Sequence, residues 1–117
     1  MLHMEYKIKT YRTEAGKRPF SKWLKDLSDR RAQSVVHLRL ERVKIGNFGD
    51  YDPVGKGVYE LRIDMGPGYR IYFSKIGSEI VLLLCAGDKG SQQKDIEKAK
   101  QYYDDYKIRI KKGDYCD

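Results

Sequence analysis

Ile80-Val81-Leu82-Leu83-Leu84 is an unbroken apolar run of strand length. A strand with one wet face alternates, so a run that does not alternate has to be covered on both faces. Residues 79–85 therefore read as a central strand. Two alternating segments precede it. Residues 58–64 put Tyr59, Leu61 and Ile63 on one face and Val58, Glu60, Arg62 and Asp64 on the other. Residues 69–75 set Tyr69, Ile71 and Phe73 against Arg70, Tyr72 and Ser74. Gly66-Pro67-Gly68 and Gly77-Ser78 are hairpin-like joints between these strands.

The rest of the chain supplies elements to cover that sheet. Tyr6 to Tyr11 alternates as a half-buried strand. Proline at 19 suits a first helical turn, and Phe20, Trp23, Leu24 and Leu27 follow at helical spacing. Ser28 or Asp29 can cap a second helix, with Ala32, Val35, Val36, Leu40 and Val43 inward and Arg30, Arg31, Arg39, Arg42 and Lys44 outward. Gly46 closes it, and residues 47–56, rich in Gly, Asp and Pro, read as a loop. Ser91 can cap a third helix with Ile96, Ala99, Tyr102 or Tyr103, and Tyr106 on one side. Residues 107–117 form a polar tail free to fray. The order β-α-α-β-β-β-α predicts an α+β fold, an antiparallel sheet with helices on one face. With no linker or repeat, residues 1–117 read as one domain.

Composition narrows the class. Fourteen aromatic residues, ten of them Tyr, argue against disorder. The longest apolar run, Ile80 to Ala86, is far too short for a membrane span. Cys85 and Cys116 offer neither a disulfide scaffold nor zinc spacing, and the start has no signal layout, so a reducing cytoplasm is the expected compartment. Net charge is +7, and residues 1–50 hold 12 of the 24 basic side chains against 6 of the 17 acidic ones. Such a basic domain is attracted to polyanions, although ordinary solubility charge is the plainer explanation.

The hairpin 58–75 carries the chemistry. Keeping both apolar sets on one face requires paired residue numbers with an even sum. A turn centred on Gly66 gives 132, which sets Arg62 opposite Arg70 and Glu60 opposite Tyr72; a sum two units away makes the arginines diagonal neighbours, on one face in either case. Like charges directly opposed cost stability, and an anion held between two guanidiniums would supply a reason for them. The alternative pairs Arg62 with Glu60 or Asp64 and leaves Arg70 solvated. A second signal is Gly87-Asp88-Lys89-Gly90-Ser91-Gln92, a strand end entering a helix N-terminus, where free N–H groups favour an anion. Asp88 or Ser91 as a simple N-cap is the competing reading. His3 and His37 have no metal-ligand spacing around them, Cys85 reads as core filler, Cys116 as a tail thiol, and Phe20 and Trp23 as core.

The strings Gly57-Val58-Tyr59-Glu60-Leu61-Arg62-Ile63, Gly66-Pro67-Gly68-Tyr69-Arg70-Ile71-Tyr72-Phe73, Ile80-Val81-Leu82-Leu83-Leu84 and Gly87-Asp88-Lys89-Gly90-Ser91-Gln92 resemble the RelE/HigB toxin superfamily, in its phage-derived addiction module killer protein branch. Phe20-Ser21-Lys22-Trp23-Leu24 adds to the likeness, which covers residues 5 to 105. Ala86 and Gly90 stand where the family usually has Gly and Ser. The resemblance implies two N-terminal helices on an antiparallel sheet and a toxin of a type II toxin–antitoxin module. Many relatives enter the ribosomal A site and cut mRNA without a metal or other cofactor, the 2′-OH attacking the adjacent phosphate to leave a 2′,3′-cyclic phosphate. Arg70 matches the family's sheet arginine, Arg62 a basic residue on the neighbouring strand, and Lys89 the basic residue after the last strand. The family's C-terminal tyrosine or histidine acid–base has no clear counterpart, so Glu60 and Tyr72 are the expected proton handlers. Lys56, and Arg31, Arg39 and Arg42 on the second helix, are expected to contact RNA or ribosomal phosphates. The implied partners are a helix-turn-helix antitoxin, the ribosome and mRNA, with no membrane. Two other functions fit: a ParE-like inhibitor of gyrase, and a phage-derived RNA- or partner-binding module without catalysis.

Overall fold

A computed structural model describes residues 5–115; His3 and Cys116 lie outside them. The order is β1 (Lys7–Thr10), α1 (Pro19–Asp26), α2 (Arg30–Lys44), β2 (Tyr51–Gly55), β3 (Val58–Ile63), β4 (Tyr69–Ile76), β5 (Ile80–Asp88) and α3 (Gln92–Lys112), with a 3₁₀ turn at Lys89–Ser91. Pro19 opens α1, and the Asp29 carboxylate caps α2 by accepting from the N–H groups of Arg31 and Ala32 at 2.9 and 3.2 Å.

The strands form one sheet in the order β1-β5-β4-β3-β2. β5 is interior, as its composition requires. Val81 and Leu83 face α1 and α2; Leu82 and Leu84 face α3. Opposite it on β4, Phe73 pairs with Leu83 and Tyr72 with Cys85, which leaves Leu84 as the extra residue of a bulge. That bulge turns Leu84 and Cys85 to the same face.

The fold is α+β, but three expectations need correction. The sheet is mixed rather than antiparallel, because β1 runs parallel to β5, pairing Lys7 with Ile80 and Thr10 with Leu83. Alternation says which face of a strand is buried; it does not say which neighbour it takes or in which direction. The helices cover both faces instead of one. Phe20, Ala32, Val36 and Val43 of α1 and α2 pack on Leu61, Ile63, Ile71 and Phe73, while Ala99 of α3 packs on Val58, Tyr72, Leu82 and Leu84. The 47–56 segment is not all loop. Its second half is β2, joined to β3 by a turn in which Lys56 and Gly57 have φ of +54° and +80°. Two positive φ values give a hairpin turn that follows strand twist, which is why this tight connection works.

The tail also differs. α3 continues to Lys112 and ends at Gly113 in the left-handed region, with φ +77°. Arg109 anchors this end. It is 4% exposed. Its Nε and Nη2 bond the Asp105 carboxylate at 2.9 and 2.7 Å, Nη2 also donates to the Arg12 carbonyl, and its guanidinium lies 4.7 Å from the Tyr115 ring centre and 5.6 Å from that of Tyr11. The Tyr11 hydroxyl donates to the same carboxylate. Polar composition suggested fraying, but one buried guanidinium satisfied on all sides ties the helix end to the exit of β1. Arg109→Leu is expected to cost about 2 kcal/mol, moderated by the partial exposure of Asp105. Urea unfolding should report the loss, and amide exchange should show residues 105–112 losing protection first.

Candidate functional site

Strand register builds the site. β3 and β4 pair with Arg62 opposite Arg70 and Glu60 opposite Tyr72, the arrangement that parity and the Gly66 turn predict. β5 extends the rows, with Gly87 beside Arg70 and Cys85 beside Tyr72. β2 closes them at the edge: Asp52 pairs with Glu60, and the Arg62 N–H donates to the Asp50 carbonyl at 2.9 Å. Two adjacent rows result on the α3 face, Asp50–Arg62–Arg70–Gly87 and Asp52–Glu60–Tyr72–Cys85.

Glu60 is the hub and is 2% exposed. Its Oε2 accepts from the Tyr72 hydroxyl at 3.0 Å and from Gln92 Nε2, at the start of α3, at 2.8 Å. Its Oε1 accepts from Arg62 Nη1 at 3.2 Å and lies 4.0 Å from Arg70 Nε. A buried carboxylate needs this full set of partners. Burial, and then the Glu60 charge, push the Tyr72 phenol far above its ordinary value. Tyr72 therefore stays protonated and donates; it lacks the lowered pKa that a base would need. Burial likewise pushes the Cys85 thiol up to about 12, so it is core filler, as its context suggested, and not a nucleophile.

The two arginines are not equivalent. Arg62 is held by three carboxylates: Nη2 bonds Asp50 Oδ1 at 2.8 Å and Asp52 Oδ2 at 2.6 Å, Nε lies 3.2 Å from both Asp50 oxygens, and Nη1 meets Glu60. The Glu60 contact belongs to the structural alternative weighed for Arg62; Asp50 and Asp52, not Asp64, supply the rest. Arg70 is 15% exposed at its side chain, yet that side chain makes no hydrogen bond among the described residues; its buried Nε has only the 4.0 Å ion pair with Glu60. A buried donor without an acceptor is destabilising by about 1–3 kcal/mol.

At the end of β5 Asp88 caps the 3₁₀ turn, whereas Ser91, at the N-cap position of α3, makes no capping bond to the backbone, contrary to expectation. The Asp88 carboxylate accepts from the Gly90 N–H at 2.8 Å, and the Ser91 hydroxyl donates to Asp95 Oδ2 at 2.5 Å. Gly87 is required there, since a Cβ at that position would overlap the Asp95 carboxylate. Lys89 is exposed on the 3₁₀ turn, beside Gly68 of the β3–β4 connection. Lys56 is exposed in the β2–β3 turn, beyond Val58, which itself lies about 13 Å along β3 from Arg62. Arg31 and Arg42 are exposed on α2, which covers the opposite face of the sheet.

Arg39 corrects another expectation. Rather than facing solvent, it donates from Nη1 to the Arg62 carbonyl at 2.6 Å and from Nη2 to the Phe48 carbonyl at 3.2 Å. Its long stem lets an outward helix position reach back and satisfy the sheet edge. Asp50, Asp52 and Gln92 were missed as members of the site. A turn at Lys56 with the same parity rule sets Asp52 opposite Glu60, but Pro53 argued against a strand there.

Two outcomes follow. Arg39→Met should lower stability by about 1–2 kcal/mol in urea unfolding, as two carbonyls lose a charged donor. The Arg62 hydrogen bonds hold the Asp50 carboxyl below its ordinary range. A carboxyl depressed in the folded state stabilises the fold above its unfolded pKa and ceases to do so as pH falls through its folded one. The stability difference between wild type and Asp50→Asn should therefore be full above about pH 4 and close below it; a pH series of urea midpoints reads it.

No family model matches the chain. It is 47% identical over 81 residues to an uncharacterised protein of Haemophilus influenzae, a match covering 69% of this chain and 82% of that protein. At that identity and coverage the chain belongs to the same family as the Haemophilus protein.

Proposed function

We propose that this protein is a RelE/HigB-like toxin of a type II toxin–antitoxin module, a ribosome-dependent mRNA endoribonuclease that acts without a metal. Arg70 carries the reading. Its guanidinium is set against a like charge on Arg62, and its buried Nε, in ion-pair range of Glu60 at 4.0 Å, has no hydrogen-bond acceptor among the described residues. That one long ion pair leaves its donors unused by the fold, whereas a scissile phosphate would satisfy both arginines. In the reaction the RNA 2′-oxygen attacks phosphorus, the bond from phosphorus to the 5′-oxygen breaks, and a proton moves from the nucleophile to a base while another reaches the leaving oxygen. Arg70 and Arg62 would neutralise the charge that builds on the phosphoryl oxygens. Glu60 orients both guanidiniums through Oε1, with Oε2 fixed by Tyr72 and Gln92. Lys89, exposed beside the same turn, adds positive charge where the RNA would leave the sheet. The partners in this reading are the ribosome, mRNA and a neutralising antitoxin. Among the described residues no helix is long and apolar enough to cross a membrane.

A second reading has its own observation. Arg62 is engaged by three carboxylates and Tyr72 is held protonated, which suits a module that binds RNA or a protein partner without cutting. Arg70→Met separates the two. It removes an unsatisfied donor and a repulsion but also the 4.0 Å ion pair with Glu60, so stability should change by no more than about 1 kcal/mol. Under inducible expression wild type should arrest growth with new mRNA 5′ ends at fixed codon positions, and Arg70→Met should cut at least about 100-fold less. Harmless expression of wild type favours the binding module, and arrest with intact mRNA points to gyrase.

A further inference from the structure

The Arg62 guanidinium is gripped from two sides that differ in kind. On the inner side Glu60 is 3% exposed and fixed by Tyr72 and Gln92. On the outer side Asp50 and Asp52 are 61% and 64% exposed; Asp52 lies in β2, the edge strand of the sheet, whose register shifts at Pro53 to Gly55, and Asp50 immediately precedes it. Asp50 meets Nε and Nη2 together, the two-point fork that arginine also offers a phosphate. Exposed ion pairs of this kind are weak, about 0–1 kcal/mol each. They are strong enough to occupy a guanidinium and weak enough to yield to a dianion. The site as folded holds two cationic and three anionic side chains, Arg62 and Arg70 against Glu60, Asp50 and Asp52. It repels a polyanion until the outer pair lets go.

We propose that Asp50 and Asp52 are an internal stand-in for a phosphate group, and that a phosphate ligand binds by exchanging with them at the Nε–Nη2 edge of Arg62 while Arg70 takes its free side. The inference rests on the reading of this face as a phosphate site, and it names how that site is gated. Phosphate enters as the outer carboxylates swing into solvent, Glu60 keeps Arg62 in register, and the edge strand decides how readily the exchange occurs. The two aspartates thereby set the affinity threshold for the ligand without touching it.

Inorganic pyrophosphate is the probe, followed by calorimetry and by the Nε–Hε resonances of Arg62 and Arg70. Asp50→Asn/Asp52→Asn should bind it about tenfold more tightly than wild type. In an Arg62→Met background the same pair should gain less than about twofold, since the coupling is between the carboxylates and that guanidinium. Glu14→Gln/Glu97→Gln, exposed positions elsewhere, removes equal charge and should also gain less than about twofold. A gain no larger than this control, or one that survives loss of Arg62, overturns the proposal. If the double variant loosens β2, wild type still decides the question. Its Arg62 and Asp50 side-chain resonances should move together and saturably with pyrophosphate, and movement of Arg70 alone overturns the exchange. Ribosomes programmed with a non-cleavable 2′-O-methyl codon test the underlying reading separately. Pyrophosphate exchange without binding to these ribosomes keeps the gate and removes ribosome-bound mRNA as its ligand.

Discussion

A buried carboxylate between two opposed arginines governs how this sheet is put together. Glu60 is almost fully enclosed, so its charge has to be matched where it stands. Arg62 does so directly, Arg70 at longer range, and Tyr72 and Gln92 fill the other oxygen. Those four partners come from β3, β4 and the first residue of α3. A slip of one residue in the β3–β4 register would send Arg62 and Glu60 to the other face, against Ile71 and Phe73, and turn Leu61 to the polar one, at a cost no compensating contact there could offset. The polar hub therefore fixes register, and register fixes the site.

The two faces of the sheet divide the work. One is an aromatic and aliphatic layer under α1 and α2, in which Phe48, Tyr59 and Phe73 stack within 5.5 Å of one another in sequence, Phe48 to Phe73 to Tyr59, and Lys75 lies over the rings. The other is apolar beneath the middle of α3 and polar at its start. α3 is held at both ends, by Gln92 on Glu60 and by Arg109 on the carbonyl of Arg12. Clamping the helix at both ends keeps Gly87 against Asp95, whose carboxylate takes the Ser91 hydroxyl at the first turn of α3.

Much of this was legible in the residues, and the failures have physical causes. Alternation plus a glycine-centred turn gave the Arg62–Arg70 pairing, because parity leaves few registers open. The apolar run at 80–84 gave an interior strand because a run that does not alternate has to be covered on both faces. The parallel partner of β1 was not legible, since four alternating residues carry no directional signal. β2 hid behind Pro53 and three nearby glycines, yet an edge strand tolerates both. With β2 went the two aspartates that occupy Arg62. Arg39 misled because a helical wheel assigns a face to the Cα, whereas a long guanidinium can return to the sheet edge. The polar tail looked frayed because a buried, fully paired Arg109 cannot be told from a solvated one by composition.

The catalytic claim is tested most directly with purified protein and ribosomes programmed with a defined mRNA, by the chemistry of the ends produced. An in-line attack by the 2′-OH on a phosphate held by Arg70 leaves 2′,3′-cyclic phosphate and 5′-hydroxyl ends in the A-site codon, and Arg70→Met leaves the message whole. Ends bearing 5′-phosphate, or equal cutting by the Arg70→Met protein, would contradict the account.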